Sequence, residues 1–311
     1  MEIPADILAA NEAGRIPNGV SLEYLAQSHD HSALVGIVFM ASVTGIVFIL
    51  RLYARISLIK KTGLDDWLAI LTWTIYVSFV TLSIILINMG TGRHIEYIQY
   101  ILSTAAVHRT EVFDFAAHIL YTTALFLCRL SSLAFYHQLT ARVNRLHKSI
   151  FFVVSFLFAV YLLQLFLLIF HCNPITSLWP NAWQPGFENY KCLSWGLVYS
   201  INSGLSLPCD LMMLTIPALL IKQLQVSSDK KVKLSFVLLP GVLVIVISAV
   251  RVWLVVKCQW ATDGRWAYSP MLCVENAELA GTLIAISVPA VKPTFETMSV
   301  LTGNKSSHQT G

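Results

Sequence analysis

Five charged residues fall well inside stretches of the chain that are otherwise apolar, where a charge is rare and could support chemistry. Arg129, Asp210 and Arg251 are isolated, whereas Glu275 and Glu278 are three residues apart and would share one face of a helix. Buried carboxylates could protonate a substrate, and opposite charges could pair within a polar pocket. At the centre of a bilayer each charge would cost at least about 2.5–3.5 kcal/mol unless a partner compensates it.

The positions of these charges along their stretches predict two ion pairs. Arg129 and Asp210 would lie at matching depths, and Arg251 would meet Glu278 or, one turn away, Glu275. As contacts between helices the pairs would be structural. As a polar pocket or a two-state switch inside the bundle they would be functional, and the sequence leaves both interpretations open.

The composition indicates what kind of element carries these charges. The chain has 311 residues, of which 56% are hydrophobic and 12% charged, and its mean hydropathy is +0.67. A soluble globular protein carries roughly 25% charged residues, so the class of soluble enzymes is excluded. Disordered chains are poor in hydrophobic residues and are excluded as well, which leaves an integral membrane protein.

Seven apolar stretches are long enough to cross a bilayer as helices, which takes about 20 residues. We therefore expect an all-α membrane protein, with a seven-transmembrane helix bundle over residues 32–295, a short N-terminal tail at 1–31 and a short C-terminal tail at 296–311. No internal repeat is visible, which disfavours an inverted-repeat transporter. The predicted spans are Ser32–Leu50, Trp67–Asn88, Phe113–Tyr136, Ile150–Phe170, Trp195–Ile221, Leu234–Val256 and Leu272–Val291.

The distribution of Lys and Arg predicts the orientation of the bundle, because cytosolic loops are enriched in these residues. With the N-terminus outside, the inner segments hold 13 of the 21 basic residues and the outer segments hold 6. We therefore expect an outside N-terminus and a cytosolic C-terminus. Residues 1–31 lack the pattern of a cleavable signal peptide, so the first span would direct insertion into the plasma membrane or another endomembrane.

Asp65 and Asp66 open the second span directly after Gly63, where carboxylates can accept hydrogen bonds from the free N–H groups of a helix N-terminus. We interpret them as hydrated helix caps on the inner side, facing Arg51 and Arg55. Two neighbouring carboxylates could also hold a metal ion, but the cap is the simpler explanation. No metal site and no cofactor are predicted.

The predicted topology separates the six cysteines into different environments. Cys172 and Cys192 share the long outer loop, whose oxidising surroundings allow a disulfide to persist, so we expect a bridge between them. Cys258 and Cys273 flank the last outer loop and could form a second bridge or exchange partners with the first.

Aromatic residues are concentrated on the predicted outer side. One explanation is the interfacial belt that membrane proteins commonly carry. The other is a lid over an outward-facing cavity that takes a flat, apolar molecule, because loop tryptophans several residues from the span ends are less expected of a belt. The tryptophans of this outer aromatic lid would be Trp179, Trp183, Trp260 and Trp266.

The basic inner loops could contact anionic lipid or an acidic cytosolic signalling partner, although the positive-inside rule alone explains them. The histidines are too scattered for haem ligation. Lys292 lies at the inner end of the last span, whereas a retinal Schiff base needs a lysine near the middle of the bilayer, so we expect no retinal. We expect no nucleic acid as a partner.

An ordered set of motifs extends along most of the chain. It comprises R-L-Y-A-R at 51–55, G-L-D-D-W at 63–67, C-R-L-S-S-L and F-Y within 128–136, C-N-P, a tryptophan and a second cysteine within 172–192, Asp210, Pro217, Lys230, Lys231, Gly241, Arg251, Glu275, Glu278, Pro289 and Pro293. Together these motifs resemble the fungal rhodopsin-like integral membrane proteins, a family of appressorium-sensor-like receptors and of membrane proteins found beside satratoxin-type metabolite clusters. The resemblance implies a receptor-like seven-helix bundle in a fungal membrane and no defined activity.

Two functions from different classes fit these observations. The first is a receptor-like protein that binds a small apolar molecule from the outer side, with the intramembrane charges balancing two packings. The second is a terpene-cyclase-like membrane enzyme, or an accessory membrane protein, of a secondary-metabolite pathway. Its candidate acids would be Asp114, Asp210, Glu275 and Glu278. Two buried arginines would keep nearby carboxylates ionised, which weighs against the enzyme.

Overall fold

A computed structural model of the chain describes residues 3–60, 63–139, 144–176, 187–223, 228–259, 263, 266 and 268–306, with the backbone alone at 58–59, 139, 144–147, 187, 220–223, 228–238, 259 and 289–306. This part of the chain is mostly helical, and seven of its helices have 24 residues or more. In chain order the α-helices are α1 (Ala5–Glu12), α2 (Leu22–Ala26), α3 (Asp30–Tyr53), α4 (Leu64–Asn88), α5 (Ile95–Tyr100), α6 (Thr104–Leu139), α7 (Asn144–Ile169), α8 (Trp195–Gln223), α9 (Ser228–Gln259) and α10 (Tyr268–Ser306).

Four shorter elements complete the description. A π-helical turn, Ala54–Ile59, extends α3, and a 3₁₀ turn, Phe187–Asn189, lies in the connection between α7 and α8. In the same connection β1 (Cys172–Asn173) pairs antiparallel with β2 (Lys191–Cys192), which sets Cys172 opposite Cys192.

Six helical segments of the described chain are long and apolar enough to cross a membrane. Large apolar side chains such as Phe39, Phe152 and Trp253 face outward from the bundle, which suits contact with lipid. The chain is therefore an integral, multi-pass membrane protein. The six segments are Leu22–Ser57, Leu64–Asn88, Thr104–Gln138, Lys148–Ile169, Leu239–Cys258 and Tyr268–Val288.

The seventh long helix, α8, was expected to be the fifth span and is not among these six. It has 29 residues, so its length is sufficient, but Asn202, Ser203, Ser206 and Asp210 make its middle polar. Ser203, Ser206 and Asp210 follow one another at intervals of three and four residues. That spacing places them on one face of α8.

The long helices pack with alternating directions, so the bundle has two ends. At one end the side chain of Arg51 in α3 meets Asp65 of α4, and Gln138 of α6 meets Asp65 as well. We call this the Arg51 end. At the other, the disulfide end, β1 and β2 lie beside the last turn of α7 and the first turn of α8.

A close approach between α4 and α10 shapes the disulfide end. The chain leaves α4 through Gly90, whose φ of +84° is a left-handed conformation that favours glycine. At Gly92 a β-carbon would lie 1.6 Å from Ser269 Oγ at the start of α10. Only glycine therefore allows this contact, which fixes where α10 begins.

Residues 3–29 fold over the disulfide end as an N-terminal cap, where the sequence suggested a short tail. Ile7 of α1 and Leu25 of α2 pack with Tyr97 and Ile98 of α5, and all four are buried. The Tyr97 hydroxyl donates a hydrogen bond to the carboxylate of Asp6. Burial, with the Asp6 carboxylate as a second cause, raises the pKa of Tyr97 above its ordinary value.

Candidate functional site

The first predicted ion pair lies between α6 and α8 in the interior of the bundle. Arg129 Nη2 is 2.8 Å from Asp210 Oδ1, and Arg129 Nε donates to the same oxygen at 3.0 Å. Arg129 Nη2 also donates to Ser206 Oγ at 2.5 Å. Both charged side chains are buried, so the guanidinium compensates the carboxylate where water cannot.

The second pair lies between α9 and α10, and it selects one of the two partners left open by the sequence. Arg251 Nη1 is 2.9 Å from Glu278 Oε2, and Tyr121 of α6 donates its hydroxyl proton to the same oxygen at 2.6 Å. The guanidinium of Arg251 also lies 5.3 Å from the centre of the Tyr121 ring, within cation–π range. Glu275 is not the partner of Arg251.

Ser248 of α9 joins the two ion pairs. Its Oγ is 2.8 Å from Asp210 Oδ2 and 2.9 Å from Glu278 Oε1. A hydroxyl has a single proton to donate, so Ser248 can donate to only one of these carboxylates at a time. The five residues Arg129, Asp210, Ser248, Glu278 and Arg251 therefore form a continuous polar chain through α6, α8, α9 and α10, which we call the central chain.

A second group of titratable side chains lies closer to the disulfide end. His118 Nδ1 is 3.0 Å from Asp114 Oδ1, and His118 Nε2 is 3.7 Å from Glu275 Oε1. The hydroxyl of Tyr268 donates to Asp114, and the ring of Tyr199 packs edge-on against the imidazole. A histidine thus lies between two buried carboxylates contributed by α6 and α10.

Two cavities lie on either side of the central chain. The first, of about 390 Å³, is bounded by α6, α7, α8, α9 and α10 towards the disulfide end, and we call it the Arg251 cavity. The second, of about 730 Å³, lies towards the Arg51 end and is named the Pro217 cavity. Arg251 lines the first cavity, while Arg129 and Asp210 line the second, so the central chain connects them.

Most residues that line the Arg251 cavity have polar side chains, although their carbon atoms form more of the wall than their nitrogen and oxygen atoms do. The lining includes Thr122, Leu125 and Ser203, of which only Leu125 cannot form a hydrogen bond with its side chain. The remaining lining residues are His118, Tyr121, Gln164, Tyr199, Asn202, Ser206, Arg251 and Glu275.

Asp65 and Asp66 occupy the predicted place at the start of α4, but their environment differs from the expected one. Asp66 Oδ2 accepts a hydrogen bond from the Gly63 N–H at 3.1 Å, as a cap does. The expectation of hydrated caps was wrong, because both aspartates are buried. Arg51 lies 3.2 Å from Asp65 Oδ2 and 3.1 Å from Asp66 Oδ1, and Arg55 lies 2.7 Å from Asp65 Oδ2.

These four residues form a tight ionic group that we call the Arg51 cluster. It ties α3 to α4 and reaches two further helices, since Arg51 Nη1 donates to the Ile286 carbonyl of α10 and Gln138 of α6 donates to Asp65 Oδ1. Within the described residues, no group of three or more His, Cys, Asp or Glu side chains is arranged to hold a metal ion.

The cysteines and the lid tryptophans are placed as follows. A disulfide links Cys172 to Cys192, whereas Cys258 and Cys273 are free thiols and form no second bridge. Trp266 lies at the disulfide end, where its ring stacks on His94 with centroids 4.0 Å apart. The other tryptophans assigned to the lid lie outside the described residues: Trp179, Trp183 and Trp260.

Several residues of the site were not singled out from the sequence. Ser248 precedes Arg251 by one helical turn, and Tyr121 follows His118 by one turn, so both share a face with a charged neighbour. Ser203, Ser206 and Asp210 likewise form a polar stripe on α8. These spacings could have identified the polar faces, but not the helices that they meet.

Comparison with curated proteins relates this arrangement to fungal membrane proteins. The chain is similar to a SAT4 family membrane protein of Emericella nidulans, with 24% identity over 77% of this chain and 56% of the relative. It is similar to fugralins biosynthesis cluster protein 2 of Gibberella zeae, with 24% identity over 85% of this chain and 65% of the relative. The chain thus spans less than two thirds of the length of either.

A third relative is wortmanamides biosynthesis cluster protein C of Talaromyces wortmannii, with 21% identity over 87% of this chain and 72% of that protein. No solved structure matches the chain. The family model of the fungal rhodopsin domain matches residues 50–297, a range that includes the Arg51 cluster, the central chain and the lining of both cavities. The chain therefore belongs to the fungal rhodopsin domain family.

Proposed function

We propose that this protein is a receptor-like membrane protein with seven transmembrane helices, an outside N-terminus and a cytosolic C-terminus. The length of α8 supports the seventh span, because 29 residues extend about 43 Å along a helix. The polar face of α8 carries Asp210, which is paired with Arg129 inside the bundle. The excess of basic residues in the inner segments supports the orientation, and so does the disulfide, which suits an oxidising outer side.

A small molecule would bind in the Arg251 cavity from the disulfide end. The aromatic loops suggested an apolar ligand, whereas the polar lining of this cavity favours a polar one. Trp266, stacked on His94 beside the N-terminal cap, is suitably placed to act as part of a lid.

The connection between the two cavities is the observation that carries this proposal. A ligand whose anionic group pairs with the free edge of Arg251 would weaken the attraction between the guanidinium and Glu278. Ser248 would then shift its single proton between Glu278 and Asp210, which alters the pairing of Arg129 beside the Pro217 cavity. A ligand shifts a conformational equilibrium only through such differential contacts.

The response would reach a cytosolic signalling partner at the Arg51 end. The Pro217 cavity lies at this end, and the inner loops beside it are rich in Lys and Arg. An acidic surface on the partner would complement this charge.

Hydrogen exchange measured by mass spectrometry on the protein in lipid nanodiscs tests this coupling. Glu278→Gln weakens the same attraction by removing the charge of the carboxylate. We expect amide exchange in residues 213–219 of α8, next to the Pro217 cavity, to change about fivefold or more, as for a coupling of 1–3 kcal/mol. Exchange in α4 should be unchanged, and Glu12→Gln, which alters an exposed carboxylate of α1, should have no effect. A change confined to the neighbours of Glu278 would contradict the proposal.

One observation favours a second function, a membrane enzyme or accessory protein of secondary metabolism. His118 lies between Asp114 and Glu275 and lines the Arg251 cavity, an arrangement that suits proton transfer, and two relatives carry the names of biosynthesis cluster proteins. The polar lining argues against a purely hydrocarbon substrate. Turnover of a prenylated precursor that is lost in Glu275→Gln would establish the enzyme and exclude the receptor.

A further inference from the structure

Several buried polar atoms around the Arg251 cavity have no hydrogen-bond partner among the described residues. They include Arg251 Nε and Nη2, Glu275 Oε2 and His118 Nε2, and each of these three residues is less than 5% exposed. Buried polar atoms are nearly always hydrogen-bonded, because an unpaired one is costly in a low-dielectric interior. Since all three residues line one cavity, a ligand in that cavity could satisfy them together.

Arg251 determines the charge of one part of that ligand. Its Nη1 is occupied by Glu278, whereas Nε and Nη2 form the side edge of the guanidinium plane. This edge can donate two parallel hydrogen bonds to a carboxylate. The Arg251 side of the cavity therefore suits a carboxylate group.

Glu275 determines the charge of the other part. Its Oε2 accepts no hydrogen bond from the described residues, and an ammonium group would supply the missing donor. Glu275 lies one turn of α10 from Glu278, about 4.5 Å along the helix axis, and Glu278 holds Arg251. The anionic and cationic parts of the ligand must therefore be only a few ångströms apart.

Electrostatic cost selects a ligand that carries both charges. Arg251 is already paired with Glu278, so a simple anion would add uncompensated negative charge beside Glu278 and Glu275. A simple cation would leave the free edge of the Arg251 guanidinium without a partner. We propose that the Arg251 cavity binds a compact zwitterion with a carboxylate on Arg251 and an ammonium group on Glu275, as in a small amino acid. This inference rests on the proposed function, which makes this cavity the ligand site.

Thermal unfolding in lipid nanodiscs with three probes of one carbon skeleton tests the inference. β-Alanine carries both charged groups, whereas propionate and propylammonium carry one each. We expect β-alanine at ten times its Kd to raise Tm by about 3 °C, and the other two probes to have no comparable effect at the same concentration. Equal shifts with all three probes, or no shift with β-alanine, would overturn the proposal.

Two variants separate binding in the cavity from a general solute effect. Glu275→Gln keeps the size of the side chain and should abolish the shift caused by β-alanine. Glu12→Gln makes the same chemical change on an exposed surface and should retain it. A shift that persists in Glu275→Gln contradicts the assignment of the ammonium site. If Glu275→Gln does not fold, the Tm shifts that the three probes cause in the wild-type protein decide whether the proposal holds.

The outcomes also separate this inference from the proposed function. If β-alanine raises Tm but leaves the amide exchange of residues 213–219 unchanged, the zwitterion site is retained and the receptor role is rejected. If propionate changes that exchange and β-alanine does not, the receptor role is retained and the zwitterion is rejected.

Discussion

The Arg51 cluster and the Arg251 cavity are both built from arginine and carboxylate groups that are buried in the same bundle, yet they differ in how completely their carboxylate oxygens are paired. In the Arg51 cluster all four oxygens of Asp65 and Asp66 accept a hydrogen bond. In the Arg251 cavity one oxygen of Glu275 has no partner in the described structure. Guanidinium nitrogens without a hydrogen bond occur in both regions, namely Nε of Arg51 and Arg55 in the first and Nε and Nη2 of Arg251 in the second. The first arrangement suits a structural contact, and the second suits a binding site.

Replacing one carboxylate by its amide in each region should give the largest difference in Tm between the two regions. Asp65→Asn removes the shared acceptor of Arg51 and Arg55, and breaking a buried ion pair costs about 3–5 kcal/mol. We expect Tm to fall by about 10 °C. Glu275→Gln, a matched change in an equally buried carboxylate, should lower Tm by about 2 °C at most, because its Oε2 loses no donor.

A thiol-reactive dye can report both unfolding transitions, because Cys128 and Cys209 are fully buried in the folded protein. If the two variants lower Tm equally, the extent of pairing does not distinguish a structural cluster from a site, and the comparison fails.

Removal of the hydroxyl that joins the two ion pairs should have a smaller effect. Ser248→Ala leaves Asp210 and Glu278 without their shared contact, and we expect a loss of about 1–2 kcal/mol, in the upper range for hydrogen bonds between membrane helices. Ser78→Ala is the matched control, because Ser78 donates only to the Thr74 carbonyl of its own helix. Thermal unfolding of both variants measures the difference, and equal losses would mean that Ser248 does not couple the pairs.

Residues of this site could be predicted from the sequence where their role depends on depth in the membrane or on a shared loop. The pairing of Arg129 with Asp210 follows from matching depths in two apolar stretches, and depth is a property that hydropathy reveals. The disulfide follows from two cysteines in one loop. By contrast, Ser248 and Tyr121 are ordinary residues of membrane helices. Their roles depend on how α6, α9 and α10 are rotated about their axes, and that rotation is set by packing among all the helices.

The same limit explains two differences between expectation and structure. Asp65 and Asp66 were correctly placed at the start of a helix, but their surroundings include helices that are distant in sequence. Gln138 donates to Asp65, and Arg51, which pairs with both aspartates, also donates to the Ile286 carbonyl. The N-terminal cap is formed by short helices whose apolar residues pack against α5. In such short helices the apolar pattern is too brief to be recognised from sequence.

The N-terminal cap allows the smallest predicted effect, which tests whether the disulfide end is held less firmly than the Arg51 end. Tyr97→Phe removes the hydroxyl that donates to Asp6, a contact worth about 1 kcal/mol, so the open population of the cap should rise about fivefold. Trypsin cleavage after Arg15, between α1 and α2, measures this population. Tyr53→Phe, at an exposed position of the Arg51 end, is the control and should leave the rate unchanged.

The pH dependence of this difference follows from the raised pKa of Tyr97 in the folded protein. Because the neutral phenol is favoured by folding, its contribution is complete below the unfolded pKa of about 10. It is lost as the pH rises above that value. The cleavage rate of Tyr97→Phe relative to the wild type should therefore stay constant up to about pH 10 and fall towards one at higher pH. A ratio that stays constant above pH 10 would show that the Tyr97–Asp6 contact does not hold the cap.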